Sequence, residues 1–181
     1  MNVISILQRN FGENRDAFEI VLEHSKMVSA KAVAIARSLS DPSINIRFIE
    51  EAALLHDIGI AQIHAPRISC NGDAPYICHG ILGRQILEME GLPSHALVCE
   101  RHIGVGICVK DIVQQQLPLP KREMMPLTLE EKIICFADLF YSKKPGRLHA
   151  KKSIDEIKKT LQKHGDHKVI IFEKWVKEFS R

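Results

Sequence analysis

The sequence lacks any run of about 18 apolar residues, so no transmembrane helix is expected. Its start, Met1-Asn2-Val3-Ile4-Ser5-Ile6, has no basic region leading into a long apolar core. No signal peptide is read there, and a cytoplasmic location is expected. The five cysteines, Cys70, Cys78, Cys99, Cys108 and Cys135, include no CxxC pair. Odd in number and scattered, they read as reduced thiols and argue against a disulfide framework. Aromatic residues are few, and the single tryptophan is Trp175. That leaves no aromatic-rich platform for nucleic acid, which is therefore not the expected partner. No segment alternates polar and apolar residues as a strand would, and neither a repeat nor a low-complexity tract is present.

What is present is helical. A chain of 181 residues suffices for one domain with a real core. From Arg15 to Leu39, apolar residues recur at Ala17, Ile20, Val21, Met27, Val28, Ala32, Ile35 and Leu39, the spacing of an amphipathic helix. His24 fills the gap in that stripe and so points at the core. A second helix is expected over about Ile46 to Asp57. Residues 60–75, with Pro66, Asn71-Gly72-Asp73 and Pro75, read as a long loop of the kind that often forms a lid. Helices are expected from about Tyr76 to Met89, Ser94 to His102 and Lys110 to Gln116. Thr128-x-x-Glu131 is a capping box opening a helix that runs to Ser142. Two more, Ser153 to Lys163 and His167 to Phe179, end the chain. The last has enough apolar surface either to close the core or to pair two chains as a homodimer.

Charge is unevenly placed. Residues 1–142 carry 13 basic and 17 acidic side chains, whereas residues 143–168 carry 9 basic and 3 acidic. A basic segment of this kind suits a phosphorylated ligand.

The chemistry centres on Leu54-Leu55-His56-Asp57-Ile58-Gly59. An imidazole and a carboxylate stand side by side after an apolar run, and burying both is costly without compensation. A metal ion compensates both at once, and mixed nitrogen and oxygen donors suit zinc, iron, manganese or nickel better than calcium. Asp138 lies in Ile133-Ile134-Cys135-Phe136-Ala137-Asp138-Leu139-Phe140-Tyr141, a nearly all-apolar helix where a carboxylate also needs a cation or several donors. His24, His56, Asp57 and Asp138 thus offer four ligands on three helices, the way metal sites are built in bundle cores.

This H…HD…D pattern resembles the HD-domain metal-dependent phosphohydrolases, and Ile58-Gly59 resembles their HDIG subgroup. The resemblance covers residues 16 to 142, with 143–181 as a helical extension of one HD-type domain. Further stretches, His79-Gly80-x-x-Gly83 and Glu100-Arg101-His102-Ile103-Gly104-x-Gly106, look like a mostly uncharacterised prokaryotic branch. What the resemblance implies is an all-α fold and a centre of one or two divalent transition metals. It also implies hydrolysis of a phosphate ester or anhydride by metal-activated water, with His56 and Asp57 as the catalytic pair. In two-metal members Asp57 would bridge. His24, His56 and Asp138 would hold the first ion, and His79 and His102 the second. Ile60 after Gly59, and Arg101-His102-Ile103-Gly104 in place of a GYP motif, depart from the cyclic-di-GMP phosphodiesterases. A small phosphorylated metabolite or nucleotide is the expected substrate. Arg84, Arg101, Lys144 and Arg147 are the candidate phosphate cations, with Lys143 beside them. The alternative is a non-catalytic, metal-stabilised binding module. His64, His95, His149, His164 and His167 match no family position and read as surface or lid residues.

Overall fold

A computed structural model describes residues 2–180. Its described residues form the helices α1 (Val3–Phe11), α2 (Arg15–Leu39), α3 (Ile46–Leu55), α4 (His79–Met89), α5 (Pro93–Arg101), α6 (Val109–Gln114), α7 (Leu129–Asp138), α8 (Ile154–Gln162) and α9 (Asp166–Phe179). Among the described residues the one sheet is a two-residue antiparallel ladder, β1 (His64–Ala65) with β2 (Cys70–Asn71), in which His64 faces Asn71. The fold is all-α.

Side chains set the helix starts. Asn2, Asn14 and Asn45 each accept the backbone N–H three residues on, capping α1, α2 and α3. Thr128 and Glu131 close a reciprocal capping box on α7, and Ser153 and Glu156 do the same on α8. Helix α2 ends where Ser40 turns into the left-handed region at φ 53°. Its stripe is buried as the periodicity requires, and His24 lies inside it.

Besides α1, for which the sequence reading had no helix, three elements differ from that reading. Helix α3 stops at Leu55, so His56 and Asp57 follow its last turn and are not carried within it. Helix α7 stops at Asp138, four residues short of Ser142, and the chain folds back so that Lys152 N–H reaches Phe140 O at 2.8 Å. Residues 60–75 are tied down by short 3-10 turns, by the β1–β2 ladder and by buried Ile60, Ile63, Ile68 and Cys70.

Two large apolar clusters build the core. One joins the C-terminal half of α2 to α3, α7, α8 and α9, with Phe136, Phe140, Phe172 and Phe179 packed ring to ring. Burial of Phe172, Trp175 and Phe179 there means that α9 closes the core. The other joins α1 and the N-terminal half of α2 to α4 and α5. Leu55 belongs to the second cluster and Ala53 to the first, so the His-Asp pair stands on the seam between them.

Candidate metal centre

Backbone carbonyls at the end of a helical turn lack an intrahelical partner. Three histidines stand at such ends and fold back onto them. His56, the C-cap of α3, places Nδ1 2.7 Å from Ala53 O. His79, which closes the 3-10 turn Tyr76–Cys78, places Nδ1 2.7 Å from Tyr76 O. His102, the C-cap of α5, places Nδ1 2.8 Å from Cys99 O. Each Nδ1–H donates to the carbonyl three residues back. That fixes the ring's orientation and leaves Nε2 as the free position.

The free atoms converge on Asp57, whose side chain is fully buried. Its Oδ2 lies 3.0 Å from His56 Nε2 and 3.3 Å from His24 Nε2. Its Oδ1 lies 3.5 Å from both His79 Nε2 and His102 Nε2. Asp138 Oδ1 adds a contact of 2.9 Å to His24 Nε2 and one of 3.6 Å to His56 Nε2. The donors thus fall into two sets, one on each oxygen of Asp57.

Two observations show what such a pocket needs. Both Asp57 oxygens and His56 Nε2 are buried and, despite close ionic neighbours, make no hydrogen bond of good geometry, a costly state. In addition, His79 Nε2 and His102 Nε2 stand 3.1 Å apart while both Nδ1 atoms are already donating. Two bare lone pairs then face each other, and a cation between them relieves the clash. Burial and the neighbouring His102 push His79 down to about 3, so His79 itself holds no second proton at neutral pH. His56 behaves otherwise: burial opposes its charge, but Asp57 and Asp138 outweigh it and raise His56 to about 10. Imidazoles and carboxylates gathered in this way fit a divalent transition metal. The sets His24–His56–Asp138 and His56–Asp57–His102 each bring three donor atoms within 4.8 Å of one another.

One side of the pocket is open. Asp138 is 17% exposed, and it forms the floor of a basin of about 550 Å³. Four cations line that basin: Arg67, Lys143, Lys144 and Lys152. Lys143 reaches inward and sets its ammonium 2.6 Å from Asp57 Oδ2. Burial works against that charge, but Asp57 leads a set of anionic neighbours that hold Lys143 above its ordinary range.

The candidate phosphate cations separate. Arg84 is engaged by Glu88 at 2.8 Å and Glu100 at 2.6 Å, and Arg101 by Glu131 at 2.8 Å. Neither lines the basin. Lys144 does, and with Arg147 it lines a second basin beside it. His64, His149, His164 and His167 are exposed. His95 is not the surface residue the sequence suggested, since it is buried edge-on to Phe48 with ring centroids 4.9 Å apart. Sequence reasoning set Lys143 beside the phosphate candidates, and it did not find Arg67, Lys152 or the carbonyls that hold the histidine rings. A histidine at a helix end was the available signal for the last of these.

The match of a family model for the HD domain to residues 21–143 settles the class. The chain belongs to the HD-domain family, whose members bind divalent metals and include metal-dependent phosphohydrolases. An uncharacterised protein of Methanocaldococcus jannaschii is 34% identical over 138 residues, 75% of this chain and 70% of that protein. A protein of Thermoplasma volcanium named tRNA (cytidine(56)-2'-O)-methyltransferase is 34% identical over 145 residues, 79% of this chain but 38% of that protein. A protein of the same name from Picrophilus torridus is 31% identical over 127 residues, 70% of this chain and 33% of that one. No solved structure matches the chain significantly.

Proposed function

We propose that the protein is a metal-dependent phosphohydrolase that cleaves an ester or anhydride of a small phosphorylated metabolite or nucleotide. The observation that carries this reading is the convergence of His24, His56, Asp57, His79, His102 and Asp138 beneath a basin lined by cations. In this reading His24, His56, Asp57 and Asp138 would hold one metal, and His79 and His102, with Asp57, would hold a second where two are bound. The chain acts as one HD-type unit, and its 143–181 extension supplies part of the phosphate-binding surface.

When bound, such ions lower the pKa of coordinated water and make a nucleophile available near neutral pH. The chain's own residues do the rest. The three Nδ1 bonds hold His56, His79 and His102 in register. Lys143, Lys144 and Lys152 neutralise charge that grows on the phosphoryl oxygens. Water is excluded on every side except that of Asp138.

The name of two relatives supports a nucleotide-bearing substrate. This chain aligns with about a third of each, so the methyl transfer in that name is not carried over.

The test is phosphate release from a panel of phosphate esters and nucleotides by metal-reconstituted protein, beside Asp57→Ala verified for folding. Chelator-sensitive release lost in the variant supports the reading. Saturable metal binding with no release from any substrate favours the non-catalytic module.

A further inference from the structure

The basin over Asp138 does not end at the metal centre. It shares Ser142, Lys144 and Lys152 with a second basin of about 480 Å³ that runs along the start of α8. Five cations line this second basin: Lys144, Arg147, Lys151, Lys152 and Lys159. Its one carboxylate, Glu156, is already engaged, since Oε2 accepts the Ser153 N–H at 2.8 Å and Oε1 lies 3.8 Å from Arg147. Among the described residues, Lys144, Lys151, Lys152 and Lys159 pair with no carboxylate. Among the same residues, Arg9, Arg47, Arg84, Arg101, Arg122 and Lys168 have acidic partners and Lys110, Lys121, Lys132 and Lys174 do not, so what sets the basin apart is the gathering of its cations in one concavity. Crowding like charges in one concavity is unfavourable, and an anion seated there relieves it.

The first basin has a second feature. The chain has two tyrosines, Tyr76 and Tyr141, and both line it. Tyr76 is 45% exposed and leaves a flat aromatic surface beside the entrance to the metal centre. A planar base stacks on such a surface, and a phosphate does not need it.

We propose that the substrate is a nucleoside with a terminal phosphate monoester and a second phosphate across the sugar, the monoester at the metal centre and the second phosphate in the Lys151–Lys159 basin. The proposal rests on the phosphohydrolase reading for its chemistry but not for its second site. In the reaction, the phosphorus–oxygen bond to the sugar breaks and water supplies the new oxygen on phosphorus. One water proton goes to the sugar oxygen. Inorganic phosphate leaves, and a nucleoside with one phosphate remains. The same chemistry is offered by a free nucleoside bisphosphate and by the 5'-phosphorylated end of a single-stranded RNA, whose first internucleotide phosphate takes the second position.

The test is calorimetric binding to the metal-free full-length protein, paired with phosphate release after metal loading. The probes are adenosine 5'-monophosphate, adenosine 3',5'-bisphosphate, ribose 1,5-bisphosphate and a 5'-phosphorylated diribonucleotide. The bisphosphate is expected to bind at least about tenfold more tightly than the monophosphate, a preference that weakens with salt. In Lys151→Glu/Lys159→Glu, two exposed substitutions, that preference should fall by about tenfold, and in the Gln/Gln pair by less. Equal binding of mono- and bisphosphate, or a preference unchanged in the charge-reversed variant, overturns the second site. Ribose 1,5-bisphosphate binding as tightly overturns the nucleoside assignment. Preference for the diribonucleotide assigns the RNA end as the source, and preference for the free bisphosphate assigns the nucleotide. Selective binding with no phosphate release upholds the second site and defeats the phosphohydrolase reading alone.

Discussion

The ammonium of Lys143 stands 2.6 Å from Oδ2 of Asp57, inside a pocket where that carboxylate is fully buried. The lysine occupies the side of Asp57 that His24 and His56 also face. Lys143 therefore neutralises Asp57 in the metal-free protein, and under the proposed reading it would compete with a metal for the same oxygen. Lys143→Met should destabilise the metal-free protein by about 3–5 kcal/mol, because a buried carboxylate loses its cation. The same variant should bind metal more tightly, and loading should recover most of the lost stability. Denaturation with and without metal checks this. A variant equally destabilised in both states would show that Lys143 does not compete.

The pH dependence of metal-free stability follows from two histidines shifted in opposite directions. His56, raised to about 10, contributes stability that is fully present below about pH 6.5 and is lost as pH rises through about 10. His79, lowered to about 3, refuses a proton that the unfolded chain accepts, so stability also falls as pH drops from about 6.5 toward 3. Denaturation midpoints of chelator-treated protein should peak near pH 6.5 or somewhat above. A midpoint that climbs steadily to pH 10 would contradict the assignment.

Gly59 is a close-approach position. A Cβ there would stand 2.0 Å from His79 O and 2.4 Å from Gly83 N, both backbone atoms at the start of α4. Gly59→Ala should cost at least about 1–3 kcal/mol and push α4 outward, carrying His79 away from Asp57. Metal titration of the folded fraction should show weakened binding. Unchanged affinity would mean that α4 is not held in place by this contact.

Away from the centre, Lys168 donates to both Asp111 and Gly106 O within the protein interior. Burial alone would raise the Asp111 carboxyl, but hydrogen bonds from Lys168 and Cys108 hold it down at about 2. Its contribution to stability is present above about pH 4 and is lost as pH falls toward 2. Lys168→Met should cost about 3–5 kcal/mol, measured by urea denaturation at neutral pH. A loss below about 1 kcal/mol would show that the pair is dispensable.

Much of this was legible in the residues because the fold depends on local patterns. The stripe of α2 placed His24 inward, and Thr128 with Glu131 marked the start of α7. The metal-ligand candidates were legible because ionisable groups in apolar runs need compensation wherever the chain takes them. Phosphate contacts were harder to read. Arg84 and Arg101 stood with Lys144 and Arg147 among the candidate cations, and only the fold brings Glu100 and Glu131 against them. Lys143 could be placed only once α7 was seen to end at Asp138, which lets residues 139–143 turn back over the pocket. Helix α1 went unread, since its nine residues make a weak pattern and its burial depends on α2 and α3.

The central claim is that this histidine and aspartate pocket is a divalent-metal centre. Calorimetric titration of chelator-stripped protein with Mn²⁺ or Zn²⁺ at neutral pH tests it most directly. The account predicts saturable binding of about one to two ions per chain, with proton release as His56 gives up its proton, and loss of that binding in His56→Ala. Absence of saturable binding by the folded wild-type protein, or identical binding by the variant, would contradict it.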